Sequence, residues 1–104
     1  MHGMPHAVKD LAYAEGLYTS EGSPILAGSL STKDDLFVSR IRNAGAIFIG
    51  KTNTPEFGLG SQTYNEVFGA TRNAYDPSKT AGGSSGGAAA VSYTHLTLPT
   101  ILLV

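Results

Sequence analysis

Cysteine is absent from the 104 residues. Its absence excludes disulfides, thiolate metal ligation and a cysteine nucleophile. Charge is scarce too: charged residues make up 14% and the net charge is −1. There is neither a basic footprint for nucleic acid nor an acidic tail. No apolar run approaches the ~18 residues that span a bilayer, so no membrane contact is expected. Residues 1–6 lack the basic and apolar regions of a secretory leader, which makes the cytoplasm the expected compartment. His2 and His6 have no metal spacing such as H-E-x-x-H, and no metal or cofactor is expected. The length allows one domain or part of one, and 41% hydrophobic content is enough for a modest core.

The chemistry is concentrated at Thr80-Ala81-Gly82-Gly83-Ser84-Ser85-Gly86-Gly87-Ala88-Ala89-Ala90. Glycine permits angles and close approaches that a Cβ forbids. Glycine pairs on both sides of Ser84 and Ser85 therefore suit a tight turn. Alanine is the best helix former, which predicts a helix starting at Ser85 or Gly86 with its positive end toward that turn. The same composition fits a flexible Gly/Ser linker. Against a linker, the segment is short and runs straight into the helix-forming residues.

Upstream, residues 6–11 read as a short strand after Pro5, with Lys9 near its end. Most lysines in such places are simply solvated. Gly16, Gly22, Ser23, Pro24 and Gly28 mark a looping segment. Ser31 and Thr32 each have an acid three residues on, Asp34 and Asp35, which is capping-box spacing. Phe37, Ile41 and Ala44 form the stripe of the predicted helix, widened by Leu36 and Val38, with Asn43 or Gly45 at its end. Residues 46–51 read as a buried strand. Helix followed by buried strand predicts an α/β fold with parallel pairing. Pro55 is expected to open a short helical turn. Residues 58–79 read as an irregular polar loop anchored by Tyr64, Phe68 and Tyr75, and such length is unusual unless functional.

Gly45-Ala46-Ile47-Phe48-Ile49-Gly50-Lys51-Thr52 matches the P-loop pattern G-x-x-x-x-G-K-[ST] letter by letter. A phosphate-cradling loop needs a strand before the first glycine and a helix after the lysine. Here a helix precedes it and residues 46–49 are strand-like, so a nucleotide site is disfavoured.

Gly3-Met4-Pro5-His6-Ala7-Val8-Lys9-Asp10 resembles the lysine motif of the amidase signature family. Residues 44–53 resemble that family's central strand, and Phe57-Gly58-Leu59-Gly60-Ser61-Gln62 and Phe68-Gly69-Ala70-Thr71-Arg72-Asn73 are also similar to it. Gly82-Gly83-Ser84-Ser85-Gly86-Gly87 resembles its signature core. The likeness runs from residue 3 to about residue 90, in motif order. It implies an α/β/α fold with a central mixed sheet, and hydrolysis of carboxylic amides through a Ser–Ser–Lys arrangement. Carried over by motif, Lys9 is the lysine base and Ser84 the bridging serine, held by a non-proline cis peptide bond. Ser85, Gly82 and Gly83 support them. The chemistry follows from first principles, because a serine hydroxyl attacks only once a neighbour takes its proton. A lysine can do so when neutral, the form that burial favours.

In the family the acyl-forming nucleophile follows the signature serine by roughly two dozen residues, in a Gly-Gly-Ser turn that forms the oxyanion hole. That position falls past Val104, and Ser92, Thr94 and Thr97 have no such turn. The expectation is therefore a partial amidase signature domain over residues 1–90, inactive alone, with Met1 at an internal position. Residues 91–104 turn β-leaning, stop at Pro99 and resemble a reading frame through a transposon-end sequencing adapter. They are read as a non-native tail, which leaves His95 without a role. The expected partner is a small-molecule amide, with no nucleic acid and no membrane, and the oligomeric state is open. Residues 55–65 resemble general amidases more than the amidotransferase component that acts on misacylated tRNA. An amidotransferase A-subunit-like fragment and a non-catalytic binding fragment are the alternatives.

Overall fold

A computed structural model of the chain describes residues 1–92. Of the tail read over residues 91–104, residues 93–104, His95 included, lie outside the described residues. Strand β1 (Pro5–Lys9) pairs in parallel with strand β2 (Ile47–Thr52). Helix α1 (Leu36–Asn43) precedes β2, a single 3-10 turn (Glu56–Gly58) follows it, and helix α2 (Gly86–Val91) ends the described chain. Strands β3 (Tyr64–Asn65) and β4 (Gly69–Ala70) form a separate antiparallel ribbon. The architecture is α/β, with two small sheets in place of one mixed sheet among the described residues.

The β1–β2 register slips between His6 and Ala7: His6 faces Phe48, while Ala7 faces Gly50. The extra residue, Ile49, resets the alternation of side chains along β2. Phe48 and Lys51 consequently share one face with Val8, although they are three residues apart. That face carries the core cluster of Val8, Ala12, Ala14 and Val38, with Leu17 and Phe48 packed against it. Val38 brings α1 to this side. Lys9 and Thr52 are register partners on the opposite face, which α2 covers.

Helix α1 begins later than the capping-box spacing predicts. Asp35 is its N-cap, and no side chain caps it. The expected capping groups are engaged elsewhere. Asp34 Oδ1 accepts from Glu15 N at 2.7 Å and Asp35 Oδ2 from Tyr13 N at 2.9 Å, while Ser31 Oγ pairs with Thr19 Oγ1 at 2.8 Å. The residues hold the 12–20 loop against α1 instead of closing the helix. The predicted stripe also differs: Val38 is buried, whereas Phe37 and Ala44 are exposed. The helix ends as expected, with Gly45 in the left-handed region at φ +93°.

Strand β2 is not fully buried, since Ile47 and Ile49 stand more than half exposed. Among the described residues, β1 is the one strand paired with it. Pro55 caps the 3-10 turn from outside rather than opening it. Tyr64, Phe68 and Tyr75, expected as anchors of the 58–79 segment, are exposed. Polar groups tie the segment down. Asn53 Nδ2 donates to Gly69 O and Thr71 Oγ1, and Asn65 Nδ2 donates to Asn53 Oδ1 and Thr54 O. These bonds fix the ribbon to the end of β2.

Candidate active site

The site forms where the last residue of β1 meets the turn before α2. Lys9 Nζ donates to Ser84 Oγ at 2.9 Å and to Ser85 Oγ at 3.0 Å. The lysine and the serines are more than seventy residues apart in sequence, and the fold alone brings them together. Lys9 is half-buried, and desolvation holds its ammonium below the usual lysine range. Its hydrogen-bond acceptors among the described residues are neutral hydroxyls, which do not offset that shift as a carboxylate would.

The glycines of the turn have distinct physical duties. Gly82 has φ +80°, a left-handed conformation that L side chains rarely adopt. A Cβ on Gly83 would stand 2.6 Å from Ser61 O, so this residue must be bare for the turn to lie on the 61–63 backbone. The peptide bond between Gly83 and Ser84 is cis. Gly87 lets α2 lie directly on the end of β2, since its Cβ would meet Asn53 N at 2.2 Å. Ser85 is the N-cap of α2, yet its side chain caps no helical N–H and accepts from Lys9 instead. The turn is thus tied down on both sides and is no linker.

Two threonines brace the turn, and one of them, Thr63, belongs to no motif singled out from the sequence. Thr63 is buried, donates from Oγ1 to Gly82 O at 2.9 Å and accepts from Gly86 N at 2.9 Å. Thr80 Oγ1 donates to Gln62 Oε1 at 2.7 Å and accepts from Gly82 N at 3.0 Å. A lone threonine in a polar stretch is not recognisable as part of a site. The signal that did exist was the length of the 58–79 segment.

On the other face of the strand pair, Lys51 Nζ lies 3.2 Å from Asp10 Oδ1. It also donates to Ala12 O at 2.6 Å and to Thr19 Oγ1 at 2.7 Å. Asp10 in turn accepts from both the backbone N and the hydroxyl of Ser20. Burial pushes the Lys51 ammonium down and Asp10 opposes that push. Lys51 therefore sits within a strand, engaged with a carboxylate, where the P-loop letters would have it free for phosphate. Among the described residues, no group of three or more His, Asp or Glu side chains is placed to hold a metal ion. No described helix is long and apolar enough to cross a membrane.

Comparison with known proteins bears on the same residues. The family model described as Amidase matches residues 1–96. The A subunit of the glutamyl-tRNA(Gln) amidotransferase from Syntrophobacter fumaroxidans is 48% identical over 88 residues, covering 85% of this chain and 18% of the relative. The crystal structure of the corresponding A subunit from Thermotoga maritima superposes with a TM-score of 0.81 at 38% identity, over 86% of this chain and 21% of that one. The structure of 6-aminohexanoate cyclic dimer hydrolase gives 0.80 at 38% identity, over 88% of this chain and 20% of that one. The chain thus spans about a fifth of the length of the relatives it matches. With the family model matching 1–96 of 104 residues, the chain belongs to the amidase signature family.

Proposed function

We propose that this chain carries the lysine and the bridging serine of an amide-bond hydrolase. Lys9 is the base, Ser84 the proton relay, and Ser85, Gly82 and Gly83 hold the pair in place. The carrying observation is the contact of Lys9 Nζ with Ser84 Oγ at 2.9 Å. In this reading the neutral Lys9 amine takes the Ser84 proton while Ser84 takes the proton of an attacking serine supplied from outside residues 1–92. The alkoxide attacks the amide carbonyl, and the C–N bond breaks as the proton returns through Ser84 to the leaving amine. Water then releases the acid by the reverse relay. The parallel pair is read as part of a larger mixed sheet, the substrate as a small amide, and the compartment as the cytoplasm.

The expected rate rises with pH as Lys9 loses its proton. Its midpoint lies below that of an ordinary lysine because burial disfavours the charged form. The test is ammonia release from short aliphatic, aryl and fatty amides by the full-length protein, compared with Lys9→Met and Ser84→Ala. Each variant is expected to lose about 10³-fold or more in kcat. Undiminished turnover in either would refute the assignment. A second reading is favoured by the 48% identity to an amidotransferase relative. In it the same relay frees ammonia for a separate acceptor, and amide cleavage would then depend on that acceptor or on a partner protein.

A further inference from the structure

We propose that Thr63 is the positioning residue of the serine turn, its single hydroxyl bridging the backbone on either side of Ser84 and Ser85 and so setting both hydroxyls against Lys9. The inference rests on the reading of Lys9 and Ser84 given above and adds a residue outside the signature stretch.

The geometry has three parts. Thr63 Oγ1 donates to Gly82 O at 2.9 Å, two residues before Ser84. It accepts from Gly86 N at 2.9 Å, two residues after it. One oxygen thus closes a loop around the two serines, using its donor on one flank and its acceptor on the other. The threonine is also pressed against the turn, because a Cβ on Gly86 would stand 2.5 Å from Thr63 Oγ1 and 2.7 Å from Thr63 Cβ. Gly86 is therefore bare in order to admit this side chain.

Thr63 is itself held. It is 2% exposed. Its carbonyl accepts from Thr71 N at 2.9 Å, and Thr71 O accepts from Ala81 N at 3.3 Å. Gln62, one residue earlier, accepts from Thr80 Oγ1. The 61–65 segment is thus a cradle with fixed backbone, and Thr63 is the side chain in it that reaches both flanks of the turn. Both bonds of the Thr63 hydroxyl go to backbone groups, so its effect on the proton relay passes through Gly82 and Gly86.

The geometry dictates which substitutions are informative. Valine keeps the shape of threonine and removes both hydrogen bonds, leaving Gly86 N buried and unpaired. Serine keeps the oxygen and drops the methyl. Misplacing a reacting group by about 1 Å can cost ~10²-fold in rate. In the full-length protein, Thr63→Val is expected to lower kcat between about 10- and 100-fold with KM changed less than about 3-fold. The pH midpoint of kcat is expected to move as well, because Lys9 loses fixed partners. Thr63→Ser is expected to recover most of the kcat and the wild-type midpoint.

Wild-type kcat and midpoint in Thr63→Val would overturn the proposal. Equal loss in Thr63→Val and Thr63→Ser would also overturn it, since the methyl and not the hydroxyl would then matter. Should Thr63→Val reduce the folded fraction, Thr63→Cys, with a weaker donor and acceptor, replaces it under the same criteria. Lys9→Met and Ser84→Ala are measured alongside. Full turnover in those two refutes the underlying site, whereas their loss with an unaffected Thr63→Val refutes only the role of Thr63.

Discussion

An alanine at position 87 would carry its Cβ to 2.2 Å from Asn53 N and 3.0 Å from both Asn53 Cα and Thr52 C. These are backbone atoms at the end of β2, so no side-chain rotation relieves the clash. Helix α2 must retreat by at least about 0.8 Å to reach even the closest tolerable contact. Ser85 is the residue that enters α2, and Ser84 precedes it directly. The same retreat lengthens the 2.9 Å bond between Lys9 Nζ and Ser84 Oγ by up to that amount, which at full displacement takes it beyond hydrogen-bonding range. Replacing a helical glycine by alanine normally stabilises by ~1 kcal/mol. Overpacking against a rigid backbone costs about 1–3 kcal/mol and exceeds that gain. Gly87→Ala is therefore expected to lower stability by up to about 2 kcal/mol in urea titration. Turnover of the full-length protein is expected to fall by about 10²-fold. Ala89→Gly, at an exposed position of the same helix, is the control: a similar stability loss of ~1 kcal/mol with turnover kept. Gly87→Ala with wild-type turnover would show that the depth of α2 does not set the lysine–serine distance.

The two ion pairs carry the remaining predictions. Asp10→Asn leaves the Lys51 ammonium half-buried without its carboxylate and is expected to destabilise by about 3 kcal/mol in denaturant titration. The double variant Asp10→Asn/Lys51→Met is expected to recover most of that loss, and a double variant no better than the single one would contradict the pairing. Arg42 grips Asp34 through Nε at 2.7 Å and Nη2 at 2.8 Å, and together with the Glu15 N–H this holds the Asp34 carboxyl at about 2. A folded value below the unfolded one adds stability that is present above pH ~4 and lost as pH falls through about 2. With the Arg42 side chain 40% exposed, solvent screening reduces that contribution to about 1 kcal/mol. The stability gap between wild type and Asp34→Asn should accordingly close between pH 4 and 2, and a gap independent of pH would refute this account.

The amino-acid pattern by itself determined several local elements and the family. Strand β1, the end of α1 at Gly45 and the start of α2 after Ser85 follow from short-range signals, and the parallel pairing from the order of helix and strand. The motifs single out Lys9, Ser84 and Ser85 from sequence alone, and the fold brings the three into contact. What only the tertiary structure decided depends on partners distant in sequence. Asp34 and Asp35 satisfy Glu15 and Tyr13 instead of capping their own helix, so α1 starts at Leu36. The extra residue in β2 turns Lys51 to the face of Val8 and toward Asp10, and a one-residue slip cannot be read from composition. Thr63 was illegible for the same reason. Its importance lies in two backbone groups about twenty residues away, and a hydroxyl carries no mark of its partners until the chain has folded around it.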